Sequence, residues 1–362
     1  MVASNPLAVF TDLLPPDWQQ RLYQSQQNGK AAFSLAHKNL HNQIRQFLNA
    51  APDPQVNLLS SEILDSLTTA RDELLGEDWQ DAQAGIYPIS LLFDDDWLDF
   101  AQYYPQVWLD KAAVWQKIRD QNHQQFAPEI DLSGYPDYYL QNFHHQTDGY
   151  LGEMSANLYD LQVELLFNGT SDAMRRRILK PIKEKLGMDN NLPLKVLDVA
   201  CGTGRTLKFL AAGFPNASLH GLDLSPSYLR KAQRILNQVG VSLPQLIQGN
   251  GENLPYQNDL FDLVTNIYLL HELPGPVRQT VLAECFRVLK PGGILMVMDS
   301  IQVKDRLEWE PMLENFPKMF HEPYYRHYLT DDILTHLAKV GFGDIEERPH
   351  CFSKSWLAFK PR

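Results

Sequence analysis

The spacing of apolar residues changes near residue 190. Upstream, apolar positions recur three and four apart over Lys30–Leu48, Ser60–Leu75 and Asp94–Arg119, which predicts three helices. Along the third, Trp97, Phe100, Tyr104, Val107, Trp108 and Trp115 form a stripe, the expected core face of a helix. Pro128, Gly134 and Pro136 then break the pattern. An aromatic and histidine-rich stretch follows, Tyr135–Tyr139 and Phe143–Tyr150. Two further helices are expected at Ser155–Leu166 and Ser171–Lys185, the second capped by Ser171 and Asp172. Residues 1–125 show no catalytic pattern.

Downstream, short apolar runs alternate with helical periods. Strands are predicted at Lys195–Ala200, Ser218–Asp223, Gln245–Gln248, Phe261–Thr265 and Ile294–Met298. Helices are predicted between them at Thr203–Ala212, Ser225–Val239 and Pro276–Leu289, and later at Thr330–Val340. Ser225 should cap its helix, with Pro226 at the first position, where a missing N–H costs nothing. Lys290–Gly293 should stop the helix before it, Thr330 should cap the last helix and Gly341 should end it. Asp344–Phe352 and Ser355–Phe359 should pair as a hairpin. Such alternation means an α/β fold, a parallel sheet covered by helices on both faces.

Three segments follow: a helical region 1–130 without an assigned role, a helical lid or linker 131–190, and a sheet domain 191–362. Within the last, residues 301–329 make a long connection rich in aromatics, among them Phe316, Phe320, Tyr324, Tyr325 and Tyr328. Long connections of this kind are usually functional, and this one is expected to wall or cover a substrate pocket.

The length of 362 residues fits one large or two ordinary domains, and 44% hydrophobic residues supply a sizeable core. The net charge of −12 argues against a nucleic-acid partner, which needs a basic footprint. Arg175–Arg177 is the one compact basic run, read as the solvated face of a helix. Three scattered cysteines make neither a disulfide framework nor a metal cluster, and suit a reducing, cytoplasmic setting. Met1–Pro6 has no basic stretch followed by an apolar run, so no signal peptide is expected. No apolar run approaches the roughly 18 residues of a transmembrane helix.

The chemistry concentrates in Val196–Arg205, where a strand runs into a Gly-x-Gly turn and then a helix. The turn at the end of such a strand is the natural ligand crevice. A dinucleotide turn wants a third glycine, and Leu207 stands there instead. Asp223 ends the second strand, where a carboxylate can accept both hydroxyls of a ribose. Asp198 would repel a pyrophosphate and suits a ligand carrying an ammonium or a sulfonium.

These residues resemble the class I S-adenosylmethionine-dependent methyltransferases, and within them the ubiquinone/menaquinone-biosynthesis branch. Gly249–Tyr256, Phe261–Val264, Leu270–Leu273 and Glu284–Gly293 resemble further motifs of that family, in order. The resemblance covers about residues 190–300 well and 330–362 by topology, and does not extend to residues 1–130. It implies a Rossmann-like seven-stranded methyltransferase sheet with helices on both faces, preceded by a mostly helical N-terminal region. The implied cofactor is S-adenosyl-L-methionine. Its methionine part would lie against Ala200, Gly202 and Gly204, with Asp198 toward the ammonium. Asp223 would bind the ribose and Leu224 would flank the adenine. Asn250 stands where the family usually has Asp, and its amide oxygen can still accept from the adenine amino group. Gly251 and Glu252 would line the same pocket, and Asn266 would touch the methionine portion or the reacting centre.

Methyl transfer from a sulfonium is an in-line displacement that needs alignment and exclusion of water, and no metal. A base is needed only where the nucleophile must lose a proton. His271, beside Glu272, is the first candidate, because imidazole titrates near neutral pH. His144, His145 and Tyr150 come second, with Tyr150 and Tyr159 placed to close over the methionine end. The aromatic surroundings favour a small aromatic or lipophilic acceptor, quinol- or phenol-like. Two rivals stand beside this: a protein methyltransferase whose N-terminal region docks a protein partner, and a non-catalytic cofactor-binding scaffold. Leu207 and Asp198 disfavour a nicotinamide-dependent oxidoreductase.

Overall fold

The computed structural model describes residue 11 and residues 14–95, 97–189, 192–241 and 244–362. The expectations for Met1–Pro6 and for the side chain of Trp97 lie outside the described residues. Seven strands form one sheet: β1 (Lys195–Val199), β2 (Ser218–Asp223), β3 (Gln245–Gln248), β4 (Phe261–Ile267), β5 (Leu289–Ser300), β6 (Gly343–His350) and β7 (Ser353–Phe359). Their order is β3-β2-β1-β4-β5-β7-β6. β1 lies at the centre, parallel to both β2 and β4. The sheet is mixed rather than wholly parallel: β7 runs antiparallel to β5 and to β6, because the chain reverses at Cys351 and Phe352.

Helices cover both faces, so the inner strands are buried along nearly their whole length. One face packs Val196, Leu263 and Met296 with Leu207, Leu210 and Phe214. The other packs Leu197, Val264 and Val297 with Leu282, Cys285, Ile333 and Leu337. Lys290–Gly293 does not simply stop a helix. It forms a bulge at the start of β5, which advances from Leu289 to Ile294 while β4 advances from Phe261 to Leu263.

Upstream lie the helices Pro16–Phe47, Ser61–Gln83 and Trp97–Asp120. The first begins well before the predicted Lys30, because the Gln-rich turns around buried Tyr23 and Gln27 carry little apolar periodicity. The helix expected at Ser171–Lys185 is broken into Ser171–Arg176 and Leu179–Leu186, with Pro181 in the first turn of the second piece. Ser171 and Asp172 do not cap it. The Ser171 hydroxyl and the Asp172 N–H both donate to Glu164 Oε1, at 2.6 and 3.1 Å. The last helix is Ile333–Val340, capped by Asp332 rather than Thr330. Ser225 does cap its helix, accepting from the Tyr228 N–H at 3.2 Å.

The arginine triplet corrects the sequence reading most sharply. Arg175, Arg176 and Arg177 are all buried. Arg176 donates twice to Asp78, at 2.9 and 2.6 Å, and Asp78 also accepts from the Tyr23 and Tyr87 hydroxyls. Arg177 pairs with Asp81 and with Glu77. A charge run looks solvated only while its counterions are unseen. For Arg176 and Arg177 they sit about a hundred residues earlier, on the helix Ser61–Gln83, while Arg175 pairs with Asp172, and buried charges persist only when so paired. One apolar cluster accordingly runs from Tyr23, Trp79 and Phe93 through Met174 to Val196 and Leu357. The segment 301–329 is also ordered onto this region: Trp309 and Leu313 pack on Ala70, and the Trp309 indole donates to Ser66 Oγ at 3.0 Å. Among the described residues no helix is long and apolar enough to cross a membrane.

Candidate functional site

A cavity opens at the carboxyl ends of β1, β2 and β4. Its floor is the turn after β1. Ala200, Gly202 and Gly204 have φ of 60°, 54° and 80°, a left-handed run that tightens the strand-to-helix crossing. Asp223, at the end of β2, holds this floor with both oxygens: Oδ2 accepts from the Gly202 N–H and Oδ1 from the Ser225 N–H, each at 2.8 Å. Each oxygen keeps a further acceptor site. Leu222, Leu224, Asn250 and Gly251 complete the floor, and Ile267–Leu269, Glu272 and Leu273 form one wall.

The roof is aromatic: Tyr138, Tyr139, Phe143, Tyr150 and Tyr159 from one segment, and Tyr228 from the helix Pro226–Gln238. The segment is tightly determined. Gly149 has φ 51°, and a Cβ there would lie 2.3 Å from the Gln141 carbonyl oxygen, so no side chain fits. His144, His145 and Asp148 are left-handed as well, at 54°, 61° and 61°. Ser225 and Ser227 donate to the carbonyls of Tyr150 and Leu151, at 2.6 and 3.0 Å, which ties the roof to the floor's own helix.

Two buried side chains below the floor keep polar atoms without a partner among the described residues. Asp198 is 1% exposed; Oδ1 accepts from Thr265 Oγ1 at 2.6 Å, while Oδ2 finds no hydrogen bond among the described residues. Asn266 is fully buried, and neither its amide oxygen nor its nitrogen finds a partner there. Burial pushes the Asp198 carboxyl up to about 7 and that of Asp223 to about 6. The open carboxylate oxygen and the open amide stand near the ends of neighbouring strands, on opposite faces of the sheet, and each suits a polar group of a ligand, the carboxylate a cationic amine. Over the turn, a Cβ built on Gly202 would meet nothing within 4 Å among the described residues, so that position has room for a ligand.

Of the residues singled out in the sequence, Ala200, Gly202, Asp223, Leu224, Asn250, Gly251 and Tyr150 line the cavity together. Asp198, Gly204, Asn266 and His271 do not. Gly204 serves packing: a Cβ there would sit 3.0 Å from the Ala232 Cβ on the neighbouring helix. The Asn250 amide is engaged locally, its oxygen accepting from the Glu252 N–H at 2.9 Å and its nitrogen donating to Glu252 Oε2 at 3.0 Å. Glu252 does not line the cavity itself; it holds Asn250 and accepts from the Tyr138 hydroxyl at 2.7 Å.

His271 is set back from the wall, with Nδ1 2.6 Å from Asp299 Oδ1. Burial opposes its charge, but Asp299 outweighs burial and raises the ring to about 9. At neutral pH it already carries its proton, so in this state it is no proton acceptor. The wall position belongs to Glu272, which accepts from the Tyr150 hydroxyl. The ring of His144, opposed by burial but held by Glu322 and Glu272, is raised to about 10. His145, its ring tilted against those of His123 and His321, is lowered by burial to about 3. No residue of 301–329 is among those lining the cavity, but Tyr324 of that insert packs against the roof, its ring 6.5 Å from that of Phe143. Sequence reasoning missed Tyr138, Tyr139, Tyr228 and Glu272 as lining residues. The tyrosine-rich stretch 135–139 was the signal for the first two, and the neighbour of His271 for the last.

Residues 196–293 match the model of a methyltransferase domain, from β1 to the β5 bulge. The chain carries a class I S-adenosylmethionine-dependent methyltransferase domain. S-adenosylmethionine is the cofactor of that domain, and the open Asp198 and Asn266 and the free space over Gly202 fit it. An uncharacterized methyltransferase of Synechocystis is 34% identical over 41% of this chain and 66% of its own length. A phthiotriol/phenolphthiotriol dimycocerosates methyltransferase of Mycobacterium ulcerans is 36% identical over 34% of this chain and 44% of its own. A ubiquinone/menaquinone biosynthesis C-methyltransferase of Burkholderia vietnamiensis is 34% identical over 43% of this chain and 59% of its own. The chain thus spans 44 to 66% of the length of these relatives.

Proposed function

We propose that this protein transfers the methyl group of S-adenosylmethionine to a small aromatic or lipophilic acceptor, quinol- or phenol-like. The observation that carries the reading is the cavity itself: a floor of turn backbone and the Asp223 carboxylate under a roof of six aromatic rings. Bound there, the cofactor supplies an electrophilic methyl group on a sulfonium. On this reading Asp223 accepts from the ribose hydroxyls and Asp198 faces the ammonium. Leu224 and Asn250 flank the adenine, and Asn266 turns its amide toward the methionine portion. Gly202 leaves space for close approach, and the tyrosines exclude water and stack a flat acceptor. Glu272, on the wall, is positioned to take a proton from an acceptor hydroxyl, with Tyr150 orienting it.

One relative is named for quinone biosynthesis and another for phenolphthiotriol lipids, which supports an acceptor of this class. The segments then divide the work: residues 191–362 hold the cofactor, 131–190 close over it, and 1–130 brace both. Docking of a protein partner through the N-terminal region has less support, because Asp78 and Asp81 there face inward onto buried arginines.

Calorimetric titration with S-adenosylmethionine, S-adenosylhomocysteine and NADH tests the reading. Micromolar binding of both adenosyl ligands without NADH is expected, followed by transfer of labelled methyl to members of a quinol and phenol panel. Tight NADH binding without adenosyl binding would sink it.

A further inference from the structure

Glu272 also belongs to a cluster whose other two members, His144 and Glu322, the proposed methyl transfer does not use. The Glu272 carboxylate lies 3.5 Å from His144 Nε2, and Glu322 Oε1 lies 2.9 Å from His144 Nδ1. One donor atom from each of the three residues falls within 4.8 Å of the others. The Glu322 side chain is 0% exposed, and neither of its oxygens makes a hydrogen bond among the described residues. A carboxylate buried in that way persists when it is paired or coordinates a metal. Here two carboxylates face the two nitrogens of one imidazole, so an ion would take one nitrogen while the carboxylate on the other side swings toward it. A divalent cation that displaces the ring's proton would balance both carboxylates.

We propose that His144, Glu272 and Glu322 bind a divalent transition-metal ion at the edge of the cavity. Mixed imidazole and carboxylate donors suit manganese, iron, cobalt or zinc better than calcium or magnesium. Bonds of about 2.1 Å set ligands on one ion roughly 3 to 4 Å apart, so the trio has to contract by no more than about 1 to 2 Å. The three donors come from three parts of the chain: the roof segment, the connection after β4, and the insert 301–329. The His144 N–H donates to the His321 carbonyl at 3.2 Å, which ties roof to insert at this point. Phe316 and Phe320 meet the His144 ring edge-on, with centroids 6.1 and 6.0 Å away, and keep the surroundings apolar. The insert thus contributes a ligand.

Three protein donors leave coordination positions open. Because Glu272 lines the cavity, an open position can take an oxygen of a molecule bound there. Adjacent oxygens, as on a catechol or a hydroxyquinol, would chelate. That ligand class rests on the methyl-transfer reading; the metal site does not.

The test uses the full-length protein, stripped of metal with EDTA and titrated with Mn2+ under electron paramagnetic resonance. One Mn2+ per chain is expected, with a Kd on the order of micromolar and displaced by Zn2+. Glu322→Gln and His144→Gln, neither of which lines the cavity, should each weaken binding by about 100-fold or more. S-adenosylhomocysteine affinity in both variants should stay within about threefold of the parent. Pulsed spectra of the Mn2+-loaded parent should show one coordinated imidazole nitrogen, a readout that holds even if a variant fails to fold. No Mn2+ or Zn2+ binding by the parent at about 1 mM, binding unchanged in both variants, or no imidazole nitrogen would each overturn the site. The trio would then be an ion-paired brace. Loss of S-adenosylhomocysteine binding by the parent would sink the methyltransferase reading and leave the metal result standing.

Discussion

The floor and the roof of the cavity are built by opposite means. The floor is backbone geometry: left-handed residues at 200, 202 and 204, and two amides held by Asp223. The roof is side-chain bulk: Phe143 on Tyr150 at 5.4 Å, and Tyr150 and Tyr159 each against Tyr228 at 5.5 Å. A backbone conformation that few residues tolerate restricts the sequence to a short motif. A ring-lined ceiling needs only flat side chains within reach, and many sequences supply those. The floor is therefore specific and brittle, and the roof is general and forgiving.

The largest effect should fall on the floor. Asp223→Ala removes the acceptor for two hydroxyls and the anchor of two amides. Calorimetry should show S-adenosylhomocysteine binding weakened by about 100-fold, near 2.7 kcal/mol. A loss below tenfold would mean that the ribose is held elsewhere.

The two turn glycines divide the floor further. Gly204→Ala meets Ala232 at 3.0 Å with φ 80°, and should lower unfolding stability by about 2 kcal/mol. Gly202→Ala, with open space around it, should cost about 1 kcal/mol of stability through its φ of 54° yet sharply weaken cofactor binding. Equal effects of both on melting and on binding would erase the distinction.

Acidity offers a smaller lever. Asp198 and Asp223 are raised to about 7 and about 6, from a usual 3.8. A carboxyl raised in the folded chain binds its proton more tightly there. Its contribution to stability is therefore present below about pH 4 and is lost as pH rises through about 6 to 7. A ligand ammonium favours the ionised form of Asp198. The melting-temperature gain from S-adenosylhomocysteine should grow between about pH 5.5 and 7.5, with affinity rising by up to about tenfold per unit. Asp198→Asn should flatten that profile. An unchanged slope would remove Asp198 from the ammonium site.

The smallest effect belongs to the roof. Tyr150→Phe keeps the ring and loses the hydroxyl on Glu272, so S-adenosylhomocysteine affinity should change by less than about 1 kcal/mol. A tenfold loss would show the roof to be as specific as the floor.

The same contrast explains what could be read from the chain. The strands from Ser218–Asp223 to Gln245–Gln248 and the Ser225 cap were legible because they are local: an apolar run, a turn, a hydroxyl followed by proline. So was most of the floor. Illegible were the features set by partners far along the chain. Ser171 and Asp172 look like caps until Glu164 is seen to collect both. His271 looks like a free base until Asp299, on β5, fixes its proton. Nothing local to the insert 301–329 shows that Trp309 packs on Ala70, about 240 residues earlier.

The buried arginines carry a consequence for engineering. Arg176 and Arg177 meet Asp78 and Asp81, while Arg205, which opens the helix after the glycine turn, meets Asp172. A cut at residue 130 would strip the first two of their counterions, and a cut at 190 would strip the third and bare Leu207, Leu210 and Phe214. The methyltransferase domain is therefore not a portable cassette. Grafting it onto another scaffold, or trading its front half for that of a relative, would have to carry both sides of these pairs together.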